Sequence, residues 1–139
     1  MSTLSCVCLL ACVALTLTYQ PGANYQCCMC GPNVTVTMEV QNSLKPPMFQ
    51  SSVKLGMPQR ELIHFLQAAV AIDPHFHFTA EYYAKPNATG YDVLSMNKVA
   101  GSATDRTYWE ILDNGVATAG VSEYVPKDGS VISFNFTSY

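Results

Sequence analysis

Val34, Val36, Met38 and Val40 alternate with Thr35, Thr37 and Glu39, the two-residue period of a strand with one buried face. Lys45-Pro46-Pro47 interrupts that pattern, and residues 49–55 read as a second short strand. Gly56-Met57-Pro58 then predicts a helix over about residues 59–72, with the proline in the first turn, where its missing N–H costs nothing. Its apolar face is Leu62, Phe65, Leu66, Ala69 and Val70, and Asp73-Pro74 ends it. Alternation resumes over residues 75–83, setting Phe76, Phe78, Ala80 and Tyr82 against His75, His77, Thr79 and Glu81. Residues 85–90 read as a turn, and residues 91–96, 107–112 and 131–136 as three further strands separated by turns bearing Gly, Asn or Asp. The order β-β-α-β-β-β-β predicts an α+β fold, a β-grasp-like small mixed sheet with one helix packed on it.

The head of the chain follows a different rule. Of 139 residues 12% are charged, about half the share usual in soluble domains, and all seven Lys/Arg and ten Asp/Glu lie at or after Glu39. A net charge of -3 with no basic run argues against nucleic acid and anionic membrane surfaces as partners. Residues 6–18, CVCLLACVALTLT, are too short to span a bilayer and match the apolar region of a secretory signal. They predict a signal peptide over residues 1–18, cleaved between 18 and 23, a flexible cysteine-bearing arm over 19–32, and one domain over 33–139. The expected product is secreted, with no membrane attachment after cleavage. Three N-x-[ST] sequons, at Asn33, Asn87 and Asn135, fit a glycoprotein.

Cys6, Cys8 and Cys12 depart with such a signal, leaving Cys27, Cys28 and Cys30. An odd number of cysteines in a secreted chain implies a free thiol or an intermolecular bridge, and near neighbours rarely meet disulfide geometry with one another. Three readings stay open. The cluster tethers a partner or a second copy, it holds a soft metal such as Cu(I) without an evident fourth ligand, or it has no role.

Catalytic chemistry finds little footing. The phosphate-loop, dinucleotide, zinc-protease and nucleophile-elbow motifs are absent. His75 and His77 at i, i+2 share a strand face, which suits a metal site or simply a polar solvent face. Scattered carboxylates offer no acid/base pair, so no enzyme and no intrinsic cofactor are expected. Asp113-Asn114-Gly115 is a strong turn signal followed by the small, apolar Val116-Ala117-Thr118-Ala119-Gly120-Val121. Trp109, the sole tryptophan, either belongs to the core or lines a pocket beside that loop.

The series Thr107-Tyr108-Trp109-Glu110-Ile111-Leu112, Gly115-Val116, Gly120-Val121, Tyr124-x-Pro126, Ile132 and Asn135-Phe136-Thr137-Ser138-Tyr139 resembles the C-terminal β-domain of the vitamin B12 carriers intrinsic factor, transcobalamin and haptocorrin. Pro74-x-Phe76-x-Phe78, Gly90 with Val93, and Ser95-x-Asn97 extend the resemblance over nearly all of residues 33–139. In those carriers the domain caps cobalamin held against a helical barrel. The resemblance implies a transcobalamin-like domain whose cap surface is Thr89, Gly90, Tyr91, Asp92 and Val93 with Trp109, Glu110, Ile111, Leu112, Asp113, Asn114, Gly115, Val116, Ala117 and Thr118. The barrel and a counterpart of the cysteine cluster are missing, and Asp92 and Asp113 are more polar than a corrin cap needs. Half a pocket predicts weak binding of cobalamin or a related small molecule. The alternative is a secreted protein-interaction module that keeps the fold without the vitamin, disulfide-linked to a partner or to itself.

Overall fold

The computed structural model describes residues 31–139. The expected signal peptide, most of the arm, and Cys27, Cys28 and Cys30 lie outside the described residues. Residues Asn33–Tyr139 form one compact unit.

Its strands are β1 (Asn33–Asn42), β2 (Phe49–Pro58), β3 (Phe78–Lys85), β4 (Ala88–Met96), β5 (Val99–Ala100), β6 (Thr107–Asp113), β7 (Val116–Ala117) and β8 (Val131–Ser138), with a single α-helix among the described residues, α1 (Leu62–Ile72). The fold is α+β, as expected, but the strands divide into two sheets instead of one. A five-stranded sheet runs in the order β2-β1-β8-β6-β7 and a three-stranded sheet in the order β3-β4-β5. Within the first, β1 pairs antiparallel with β2 and parallel with β8. Alternation places Val34, Val36, Met38 and Val40 of β1 and Ile132, Phe134 and Phe136 of β8 on the buried face, and α1 adds Leu62, Phe65, Leu66 and Ala69 to the same core. The second sheet contributes Met96 and Val99 and meets the first through β4 and β6.

Three local expectations change. β2 continues through Gly56, Met57 and Pro58, which pair with Thr35, Val34 and Asn33, so the proline closes a strand and the helix starts at Leu62. No side chain caps that start. Instead the Leu62 and Ile63 N–H groups donate to the Tyr124 and Val121 carbonyls, each at 2.8 Å, satisfying helical donors that otherwise lack partners. The apolar stretch 116–121 that follows the turn thus ends in a core residue, since Val121 is buried as well.

The expected strand over 75–83 starts only at Phe78, because Pro74–Phe76 is a turn of 3₁₀ helix with Asp73 accepting from the His75 N–H at 2.8 Å. His75 and His77 thus share no strand face. His75 stacks on Phe49 with ring centroids 5.8 Å apart. The β3–β4 turn is shorter than expected, since Lys85 already pairs with Ala88. The Asp113-Asn114-Gly115 signal holds: Asn114 (φ 49°) and Gly115 (φ 81°) take the left-handed pair of conformations that a two-residue hairpin needs.

Candidate functional site

The two predicted cap segments lie on different sheets. Residues 89–93 form most of β4, and residues 109–118 run from β6 through the Asn114-Gly115 turn into β7 and just past it. The 120–130 connection between β7 and β8 ties them together. The Tyr91 N–H donates to Ser122 Oγ at 2.9 Å and the Tyr83 hydroxyl to Glu123 Oε1 at 3.0 Å. Gly90 is buried against this connection, and a Cβ there would stand 2.8 Å from the Ser122 Cβ. On the other side Asp113 Oδ2 accepts from the Tyr124 hydroxyl at 2.5 Å and from Ser130 Oγ at 2.7 Å, while Oδ1 accepts from Asn114 Nδ2 at 2.8 Å. That bond to the Asp113 carboxylate, followed by burial and the carboxylate's charge, pushes the Tyr124 hydroxyl up to about 12.

An open groove of about 460 Å3 lies between the β6–β7 hairpin and residues 124–130. Asp113, Asn114, Val116, Ala117 and Thr118 of the predicted segment line it, with Tyr124, Lys127, Asp128, Gly129 and Ser130 opposite. No residue of 89–93 does, so the groove takes in one predicted segment and not the other. Val116, 70% exposed, is the most open large apolar side chain of the segment.

Other predicted residues are placed differently. Trp109 is core: it is 7% exposed, lies 5.0 Å from the Phe136 ring, and donates its indole N–H to the Val99 carbonyl at 2.8 Å. Its side chain does not line the groove. Glu110, Ile111 and Leu112 are half-buried strand residues, and Val93 and Ile111 pack against the core. The Asp113 carboxylate is engaged by its three donors. The solvent-facing set is Thr89, Tyr91, Asp92, Asn114, Gly115, Val116 and Ala117. Sequence reasoning missed Ser122, Tyr124 and Ser130 as organising residues, although Tyr124-x-Pro126 stood in the motif that carried the resemblance.

Nucleophilic or metal chemistry gains no geometry here. Asp73 stands between Ser51, whose hydroxyl it accepts, and His75, whose Nδ1 lies 2.7 Å away, so hydroxyl and imidazole bind the carboxylate and not one another. The Ser51 bond, then the His75 N–H, holds the Asp73 carboxyl below its usual range against an opposing push from burial. Among the described residues no three His, Cys, Asp or Glu side chains gather as metal ligands.

Two sheets closed by one helix, with a loop-bound hairpin end, define an α+β domain of the kind found in the C-terminal part of haptocorrin. The crystal structure of haptocorrin in complex with Cbi superposes with a TM-score of 0.63 at 20% identity, covering 78% of this chain and 26% of that one. A Ruminococcus gnavus protein labelled a candidate metal binder superposes at 0.59 and 10% identity, over 76% of this chain and 98% of its own. In sequence, cobalamin binding intrinsic factor of Canis lupus familiaris is 32% identical over 111 residues, and that of Homo sapiens 29% over 112. Each match covers 77% of this chain and 26% of the relative, so the chain spans about a quarter of the length of these curated relatives. Together these likenesses support a transcobalamin-like domain within the chain. No family model matches the chain, and among the described residues no helix is long and apolar enough to cross a membrane.

Proposed function

We propose that this chain is a secreted, non-catalytic binding protein that takes cobalamin or a related ligand on the surface formed by residues 89–93 and 109–118, and takes it weakly when no second wall is present. The observation that carries the reading is the 32% identity to a cobalamin binding protein over 77% of the chain. The solvent-facing side chains Tyr91, Val116 and Ala117 supply apolar contact, and the backbone around Gly115 supplies polar groups for amide substituents. Trp109, Glu110, Ile111, Leu112 and Asp113 act from behind, by fixing the β6–β7 hairpin. We read the larger sheet as β-grasp-like, on the support of its central parallel β1–β8 pair flanked by β2 and β6, with α1 against β1 and β2.

A second reading, a protein-interaction module joined through Cys27, Cys28 or Cys30, draws on a different feature. Asn42, 1% exposed, donates to the Lys45 and Pro47 carbonyls and accepts from the Leu44 N–H. This builds a loop that holds Leu44 and Met48 out in solvent, 47% and 66% exposed.

Titration of the purified chain with aquocobalamin, followed by the visible spectrum, separates the two. The first reading expects a saturating spectral shift that Val116→Asp abolishes. No shift at about 0.1 mM, where a contribution of only about 5–6 kcal/mol would suffice for half-saturation, refutes vitamin binding by the lone chain. Non-reducing electrophoresis of secreted material showing only monomer refutes the covalent version of the second.

A further inference from the structure

The sequon Asn87-Ala88-Thr89 holds a place in the fold that the other two do not. Asn33 is the first residue of β1, paired with Pro58. Asn135 is half-buried in the middle of β8, with Gln41 of β1 on one side and Glu110 of β6 on the other. Asn87, by contrast, sits with Pro86 in the two-residue turn at the free tip of the β3–β4 hairpin, and Pro86, Asn87 and Thr89 are all exposed. Both residues that an N-linked sugar requires, the asparagine amide and the hydroxyl two positions on, stand in solvent.

What lies beneath this tip is an open edge of the domain. β3 is the outer strand of its sheet, so one side of Phe78–Lys85 presents unpaired backbone groups, the usual template for pairing with another chain. Tyr82 and Tyr91 face each other across the hairpin with ring centroids 5.5 Å apart, 57% and 42% exposed. Two-residue alternation puts them on the same face as Ala84 and Thr89, three register positions or about 10 Å from the turn. An open edge combined with an exposed aromatic pair invites self-association, and Glu81 and Lys85 are the only charges on that strand. With 12% charged residues the chain has little else to keep it apart.

We propose that Asn87 carries an N-linked oligosaccharide that projects from the hairpin tip and keeps the open β3 edge from pairing with a second copy. The modification rests on the secretory reading above, because the transfer of the sugar takes place in that compartment.

The full chain is expressed in mammalian cells, and medium and cell lysate are treated with peptide N-glycosidase in oxygen-18 water and mapped by mass spectrometry. Conversion of Asn87 to heavy-labelled aspartate in most molecules is the expected result. Secreted chain with unmodified Asn87 overturns the proposal. Chain retained inside the cell without sugar overturns the secretory reading instead, and the same chain behind a heterologous leader then decides Asn87 by itself. Sedimentation under reducing conditions tests the guarding role. Asn87→Gln and Thr89→Ala, which remove the sugar, are expected to shift severalfold more material into dimers and larger species, while Thr89→Ser, which keeps the sequon, matches the parent. If the first two stay as monomeric as the parent, or if Thr89→Ser also associates, the guarding role is wrong.

Discussion

Removing one hydroxyl at Tyr124 is the sharpest probe of how the candidate site is held. Tyr124→Phe keeps the ring in its half-buried place against the core and deletes only the bond to Asp113 Oδ2, 2.5 Å long. A hydrogen bond to a charged partner contributes about 1.5–3 kcal/mol. The raised hydroxyl gives a second route to the figure: a shift from 10.0 to about 12, at about 1.4 kcal/mol per pH unit, bounds the tie at about 2.7 kcal/mol before solvent screening is allowed for. Partial exposure lowers both, and about 1–2 kcal/mol is expected. For a domain of this size that is a fall in Tm of roughly 4–16 °C.

The pH dependence follows from the direction of the shift. The folded-state value is raised, so the contribution is complete below pH 10 and is lost as pH rises from 10 toward 12. Urea unfolding of the parent and Tyr124→Phe near pH 8 and near pH 11.5 is the assay, because subtracting the variant removes the lysines and other tyrosines that ionise in the same range. The gap between the two proteins is expected to be about 1–2 kcal/mol near pH 8 and to close by at least half near pH 11.5. No gap near pH 8 would mean that the tie is not formed in solution, and an equal gap at both pH values would mean that it does not depend on the phenol proton.

Other perturbations test the remaining contacts. Gly90→Ala places a methyl group 2.8 Å from the Ser122 Cβ and is expected to cost about 1–3 kcal/mol by overpacking, with Ser122→Gly restoring part of it in a thermal melt of the double variant. Asn42→Ala strips a buried side chain from two carbonyls and the Leu44 N–H, for an expected loss of about 2–4 kcal/mol and faster proteolysis at residues 43–48. Asp73 contributes in the acid range: its carboxyl is held below its ordinary value of 3.8, so the stability it confers is present above that value and lost as pH falls through the lowered one. Asp73→Asn should therefore flatten the acid limb of the unfolding curve measured by circular dichroism.

Where one face of an element is buried, its pattern was readable. The β1 alternation, the apolar face of α1, the β6 and β8 strands and the Asn114-Gly115 turn are each written in residues that touch the core or adopt a left-handed backbone, and each lies close to where periodicity puts it. The errors fall where distant segments set the local structure. Pro58 reads as a helix opener because proline suits a first turn, yet Asn33 at the start of β1 holds it in a strand. The helix start is satisfied by the Val121 and Tyr124 carbonyls, roughly sixty residues on in the chain, and no local motif announces such a cap. Alternation over residues 75–83 overran its true start because Asp73 and Pro74 impose a turn that happens to leave Phe76 buried. Division into two sheets was invisible, since period two fixes which side of a strand is apolar and not which strands pair.

Trp109 shows why the site was harder to read than the fold. A tryptophan next to a glycine-containing loop fits both a core residue and a ligand wall, and composition cannot choose between them. The choice is made by one acceptor, the Val99 carbonyl at 2.8 Å from the indole nitrogen, on a strand of only two residues. With that N–H satisfied inside, the exposed apolar surface nearby belongs to the hairpin that Trp109 supports, where Val116 stands 70% exposed. The same logic holds for Asp113, whose polarity looked unsuited to an apolar cap. Its carboxylate is engaged by Tyr124, Ser130 and Asn114, so where it lines the groove the acid holds the hairpin against residues 124–130. The candidate surface is therefore held in shape by buried and engaged residues, and its exposed apolar side chains stand at the hairpin tips.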